Sequence, residues 1–200
     1  HVAGWGKNWD FWDKVEGQRD LARSLAGLLR DSVQPGEMGR TAQYKLAAAI
    51  YHDSFIFYNH FWQGGRRDYV WMGHIAETYD DPVEQAKIKS FLLGHNNYVQ
   101  ALNLFKSMES QPGLSAEMRE KADYNVALCY LHLKYYGSEV RNLYTAEEIN
   151  TRLLESLREF IDKYPDSEMK AKALLALGAE QPNREVLLKL IELYPESDEA

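Results

Sequence analysis

Cysteine is nearly absent from this chain: Cys129 stands alone in 200 residues. No internal disulfide can form, and a cysteine-based zinc site is excluded. Cys129 lies in an apolar helical run and reads as a small core residue rather than a nucleophile. Long apolar runs are missing as well, and nothing approaches the ~18 consecutive apolar residues of a membrane span. Segments of clean two-residue alternation rich in β-branched side chains are also lacking, which removes the signature of a sheet. There is no basic excess either. Lys and Arg number 23 against 30 Asp and Glu, a net charge of −7, whereas a nucleic-acid binder normally needs a basic face to meet phosphates. No glycine-rich phosphate loop, Gly-x-Ser-x-Gly elbow or dinucleotide fingerprint occurs. None of the 6 histidines has a second one four residues away, the spacing that aims two imidazoles from one helical face at a metal. His52 and His60 are about 12 Å apart along a helix, too far to share an ion. Glu147-Glu148 and Asp80-Asp81 read as helix-start charges. No metal, cofactor, catalytic set or nucleic-acid partner is therefore expected.

What is present is helical periodicity and a repeat. Hydrophobic residues make up 45% of the chain, enough for a sizeable core in one domain or one elongated array. Leu157-Arg158-Glu159-Phe160-Ile161-Asp162-Lys163-Tyr164-Pro165-Asp166-Ser167 returns thirty residues later as Leu187-Leu188-Lys189-Leu190-Ile191-Glu192-Leu193-Tyr194-Pro195-Glu196-Ser197. Each copy is an amphipathic helix ended by proline, which has no amide donor and restricts the residue before it. Repeats of this kind stack because one unit cannot bury its apolar face alone. Acid is concentrated late: residues 145–200 hold 13 Asp and Glu against 7 Lys and Arg. That acidity is either a solvated face or a dock for a basic partner.

The periodicity predicts a helix from near Asn8 to about Val33, broken at Gln34-Pro35-Gly36. Trp5, Trp9 and Trp12 share one face of its start, either as a cap on the open end of a stack or as a stacking platform for a sugar or peptide. Residues 41–62 read as one long helix or a close pair. It opens with Ala42, Tyr44, Leu46, Ala47 and Ile50 and closes with Phe55, Phe57, Tyr58, Phe61 and Trp62. Arg66 and Arg67, flanked by aromatics, are candidates to grip an anion or carboxylate; the alternative is pairing with local acids such as Asp68. Asp81-Pro82-Val83-Glu84 marks a helix start, with the helix running to Leu93. Another follows from about Asn97 to Glu109, with Ala101, Leu104, Phe105 and Met108 inward. Ser115 caps a third, ending near Tyr136, with Ala122, Val126, Ala127 and Tyr130 on one face. Thr145-Ala146-Glu147-Glu148 is a capping box. Ile149, Leu153, Leu154, Leu157, Phe160 and Ile161 then form one apolar stripe.

Three of these helices share a pattern. Ala42-Gln43-Tyr44-Lys45-Leu46-Ala47 matches Ala122-Asp123-Tyr124-Asn125-Val126-Ala127, and Ala173 to Gly178 keeps the first, fifth and sixth positions. The pattern resembles the first helix of a tetratricopeptide repeat, with Ile50 and Tyr130 at the large position that follows. Ala101 and Phe105 look like the alanine and aromatic of that repeat's second helix, and Pro112 stands near its terminating proline. Lys163-Tyr164-Pro165-Asp166-Ser167, followed by Ala173 and Leu177-Gly178, looks most like TPR-like proteins of the bacterial cell envelope. The likeness covers about residues 120–200 and part of 40–51, and residues 52–80 fit no repeat. The resemblance implies an all-α fold of stacked antiparallel helical hairpins, a TPR-like α-α solenoid. In it, residues 1–80 form a divergent aromatic-rich part and 81–200 the hairpins of a single 1–200 domain. It further implies a non-catalytic scaffold whose first helices present Tyr44, Tyr51, Tyr124 and Leu131 to a protein or peptide partner, in the cell envelope or periplasm. The same tyrosines could instead pack between hairpins. A carbohydrate-binding envelope protein, using the tryptophan-rich start and the aromatics from Phe55 to Trp71, is the alternative. An enzyme built on helical hairpins is a third reading and needs a pocket of convergent ionisable groups. The first residue is His1 rather than Met, so any signal peptide or lipid anchor is expected upstream of this sequence.

Overall fold

The computed structural model describes residues 18–52, 81–136, 145–182 and 184–199. Those residues are all-α, with eight helices and no strand. The helices are α1 (Gln18–Ser32), α2 (Glu37–His52), α3 (Pro82–His95), α4 (Asn97–Glu109), α5 (Ala116–Tyr136), α6 (Ala146–Lys163), α7 (Lys170–Glu180) and α8 (Arg184–Leu193).

Local chemistry sets most of the boundaries. The side chains of Asp81, Asn96 and Ser115 accept the backbone N–H groups of Val83 at 2.9 Å, Val99 at 3.1 Å and Met118 at 3.2 Å. Each satisfies an amide that the first helical turn leaves without a partner. The capping box at α6 is complete: Thr145 Oγ1 accepts from Glu148 N–H at 3.1 Å, and Glu148 Oε2 accepts from Thr145 N–H at 2.8 Å. Two boundaries differ from the sequence expectation. α2 begins at Glu37 rather than Thr41, because Gly39 lets the first turn of α2 approach the end of α1. A Cβ there would lie 2.8 Å from the Gln34 carbonyl carbon, so glycine serves close approach rather than helix breaking. α3 runs to His95 rather than Leu93, since Gly94 continues the helix and only Asn96 interrupts it before α4. The expected start near Asn8, and the stretch beyond His52, lie outside the described residues.

Helices pack largely on their neighbours in chain order. α1 lies on α2, α4 on α5, α5 on α6, α6 on α7 and α7 on α8, while α2 reaches past α3 to α4. One apolar core runs through them, from Leu25 of α1 to Leu190 of α8. Small residues bring the helices close. Ala47, Ala101, Ala122, Ala127 and Ala173 are fully buried. At Gly178 an added Cβ would overlap Leu187 Cδ2 and lie 2.9 Å from its Cγ, so α7 and α8 meet there with no room to spare. Cys129 is buried among these contacts, as its apolar surroundings predicted. Asn97, also buried, donates to the carbonyls of Ile50 at 3.3 Å and Tyr51 at 3.2 Å, tying the start of α4 to the end of α2.

The two Tyr-Pro corners have the same backbone bonding. Tyr164 N–H donates to Phe160 O at 3.0 Å and Ser167 N–H to Tyr164 O at 3.2 Å; Tyr194 N–H donates to Leu190 O at 2.9 Å and Ser197 N–H to Tyr194 O at 3.0 Å. They diverge at the serine hydroxyls. Ser167 Oγ accepts Met169 N–H at 3.1 Å ahead of α7, whereas Ser197 Oγ is buried without a hydrogen-bond partner.

Candidate interaction surface

The first of the tyrosines singled out by sequence, Tyr44, sits on α2 where α2, α4 and α5 come together. Its ring meets Phe105 of α4 edge-on at 5.8 Å, and its hydroxyl accepts from Asn125 Nδ2 of α5 at 3.3 Å. Burial raises its pKa above the ordinary phenol value. Around it runs a polar seam. Gln43 Nε2 donates to Ser107 Oγ at 2.6 Å, and Gln111 Nε2 donates to Gln43 Oε1 at 2.6 Å. Side-chain amides and hydroxyls with spare donors and acceptors can form hydrogen bonds to a peptide backbone laid across them.

Tyr51 lies deeper. It is 4% exposed, stacked on His132 at 5.1 Å and edge-on to Tyr98 at 5.7 Å. Its hydroxyl is buried without a hydrogen-bond partner, and burial pushes its pKa well above the ordinary phenol range. Tyr124 is likewise buried; its ring packs on Phe160 at 5.2 Å, and burial, with a smaller contribution from the Glu199 charge, pushes its pKa up to about 12. Tyr51 and Tyr124 therefore hold helices together rather than present their faces, which was the second of the two roles open to them. Leu131 is half-buried against the core and keeps some surface, as Tyr44 does. Arg66, Arg67, the N-terminal tryptophans and the aromatics from Phe55 to Trp71 lie outside the described residues.

Sequence periodicity did not reveal the polar ties between helices. Asp123 Oδ2 accepts from Lys163 Nζ at 2.6 Å and from Tyr164 Oη at 2.7 Å, fastening the first Tyr-Pro corner to α5. Burial and this bond push the Tyr164 pKa up to about 12. Glu180 is an ion-pair partner of Lys134 and accepts from Tyr135 Oη at 2.7 Å, while Lys134 also donates to Asn150 at 2.6 Å. That cluster joins α5, α6 and α7. The partners stand 16 to 46 residues apart, so no local pattern could have flagged them.

Burial disfavours the charged forms of two histidines and the cysteine. Burial lowers the pKa of His132, and burial together with the neighbouring His132 lowers that of His52. Burial pushes the Cys129 thiol far above its ordinary range, which leaves little thiolate to act as a nucleophile. Among the described residues no three His, Cys, Asp or Glu side chains are grouped as a metal would require, and no helix is long and apolar enough to cross a membrane. Comparison with protein-family models, with curated proteins and with solved structures finds no match.

Proposed function

We propose that this chain is a non-catalytic, TPR-like helical-repeat scaffold that binds a protein or peptide partner in the bacterial cell envelope. The observation that carries the reading is the recurrence of the Tyr164-Pro165 corner at Tyr194-Pro195 with the same backbone bonds. It supports reading α6 and α8 as equivalent elements of a modular stack, and modular helical stacks offer long surfaces suited to extended partners. The seam of Tyr44, Gln43, Ser107 and Asn125, with Leu131 further along α5, is the surface assigned to the partner. The reading is tested by selecting peptides from a displayed library on the immobilised protein. Enriched peptides should lose roughly tenfold or more in affinity when Asn125→Ala and Leu131→Gln are combined, as expected when interface anchors are removed, with the helical circular dichroism spectrum retained. A library that yields no enriched peptide, or peptides indifferent to both substitutions, would refute the assignment. Fractionation of the producing cell tests the compartment, and recovery solely from the cytosol would remove the envelope part of the proposal.

A further inference from the structure

Three helices bring charge together where the Tyr164-Pro165 corner meets α5. Asp123 sits at the centre, its side chain only 13% exposed. Its two carboxylate oxygens are treated differently. Oδ2 accepts from Lys163 Nζ at 2.6 Å and from Tyr164 Oη at 2.7 Å, whereas Oδ1 is buried without a hydrogen-bond partner. An oxygen shut away from water in this state costs free energy until a donor reaches it. Solvent does not touch Oδ1, so the donor must come from a neighbouring side chain. Lys163 and Tyr164 are committed to Oδ2, and Lys106 of α4 donates to Tyr130 at 2.7 Å. Arg119 of α5 is held by the backbone carbonyl of Glu109, the last residue of α4. Asp123 stands one helical turn beyond Arg119 on the same face. Glu109 is thereby set beside Asp123, at the solvent edge of the group.

We propose that Glu109 and Asp123 form a proton-operated latch: on mild acidification Glu109 takes a proton from solvent, and its O–H donates to Asp123 Oδ1, pinning the end of α4 to the α5–α6 corner. Asp123 stays ionised and keeps Lys163 and Tyr164 on Oδ2. One added proton therefore supplies the missing donor and breaks no existing bond, and the new bond, from a carboxylic acid to a carboxylate, is charge-assisted. Without that proton two carboxylates repel and Oδ1 goes unsatisfied. Partial burial first, then the Asp123 charge, hold the Glu109 carboxyl above the ordinary carboxylate range; Lys106 and Lys163 oppose this and Glu159 of α6 adds to it. With Arg119, Tyr130 and Tyr164, these are the ionisable groups around Glu109 on α4, α5 and α6. The folded chain thus holds the Glu109 proton more tightly than the unfolded one. This group adds stability as pH falls towards 4.5 and withdraws it as pH rises, the opposite sense to a buried histidine. Gln111 and Asn125 of the polar seam follow Glu109 and Asp123 by two residues each, so the latch steadies the backbone from which the seam projects. The proposal goes beyond the scaffold reading and stands without it.

The test follows the carboxyl carbons of Glu109 and Asp123 by NMR of the isotope-labelled protein, from neutral pH down to the onset of acid unfolding. The Glu109 carboxyl should titrate above 4.5, and the Asp123 carboxyl should shift in the same step, as two sites sharing one proton do. Asp123→Asn should bring the Glu109 titration down towards 4.5; burial alone would leave it where it was. Urea denaturation gives a second reading that needs only a surface substitution. Glu109→Gln supplies a donor without the charge, so it should raise the urea midpoint at neutral pH. That advantage should close as pH falls towards 4.5 and the unsubstituted protein gains its own donor. The histidines are common to both proteins and cancel in the comparison. An Asp123 carboxyl unmoved while Glu109 titrates would overturn the proposal, as would Glu109 titrating at 4.5 or below. So would a Glu109→Gln advantage that is absent at neutral pH or unchanged by acid.

Discussion

Gly178 offers a prediction whose sign reverses with its neighbour. In a helix interior, replacing glycine by alanine ordinarily stabilises by about 1 kcal/mol, because glycine gives up more backbone freedom on folding. At position 178 the new methyl would overlap Leu187 Cδ2 and stand 2.9 Å from Leu187 Cγ, with Val186 Cγ1 at an ordinary 3.7 Å. Cγ is a branch point close to the backbone, so rotating the tip of Leu187 does not clear it. Overpacking of this kind costs about 1–3 kcal/mol. The cost equals or exceeds the gain, and Gly178→Ala should leave the protein unchanged or destabilise it by up to about 2 kcal/mol. Leu187→Ala removes the obstructing atoms, and because Leu187 is already 36% exposed it forfeits only part of a leucine's burial. Added to that background, Gly178→Ala should stabilise by about 1 kcal/mol. The cycle would then show a coupling of about 1–3 kcal/mol, the range for side chains in direct contact. Urea denaturation followed by circular dichroism at 222 nm gives all four stabilities. Stabilisation by Gly178→Ala in the unsubstituted protein, or additivity around the cycle, would refute the close α7–α8 contact.

Other perturbations test different joints of the fold. Thr145→Ala should cost about 1 kcal/mol by removing the hydroxyl that accepts the Glu148 N–H, while the backbone N–H of residue 145 can still donate to the Glu148 carboxylate; the same urea titration measures it. Glu180→Gln removes the charge that Lys134 and Tyr135 meet at a carboxylate only 5% exposed. It should cost about 1.5–3 kcal/mol, the range for hydrogen bonds to a charged group; thermal melting checks it, and no change would mean the cluster is incidental. The imidazoles of His52 and His132 have pKa values lowered from 6.5 by burial. Below that value the unfolded chain binds more protons than the folded one, so stability falls as pH drops through about 6.5 and stops falling once the folded histidines also titrate. Melting temperatures across this range should show that slope, and replacing both residues by Asn and Phe respectively should flatten it.

The fold was legible where its causes are local. Asp81, Ser115 and Thr145 cap helices because a short acceptor side chain beside an apolar-periodic run has few other uses. The Tyr-Pro corners were legible because proline ends a helix whatever surrounds it. The start of α2 at Glu37 was not legible for the opposite reason: the role of Gly39 comes from the Gln34 carbonyl of the preceding turn, and glycine as breaker and glycine as spacer look alike in a sequence.

The candidate surface was less legible, because a tyrosine's position on a helix does not say how close the next helix comes. Tyr44 and Tyr124 occupy the same place in their shared six-residue pattern, yet Tyr44 keeps a hydroxyl at the polar seam while Tyr124 is closed over by Phe160. The difference lies in what packs outside each helix. α6 places Phe160 against Tyr124, whereas α4 meets Tyr44 edge-on with Phe105 and leaves room for Asn125 to reach its oxygen. The same reasoning separates Ile161 from Ile191: identical residues at identical repeat positions, buried in α6 between two neighbours and open in α8 beside one. Apolar periodicity specifies that a face must be covered, and only the neighbouring element determines what covers it.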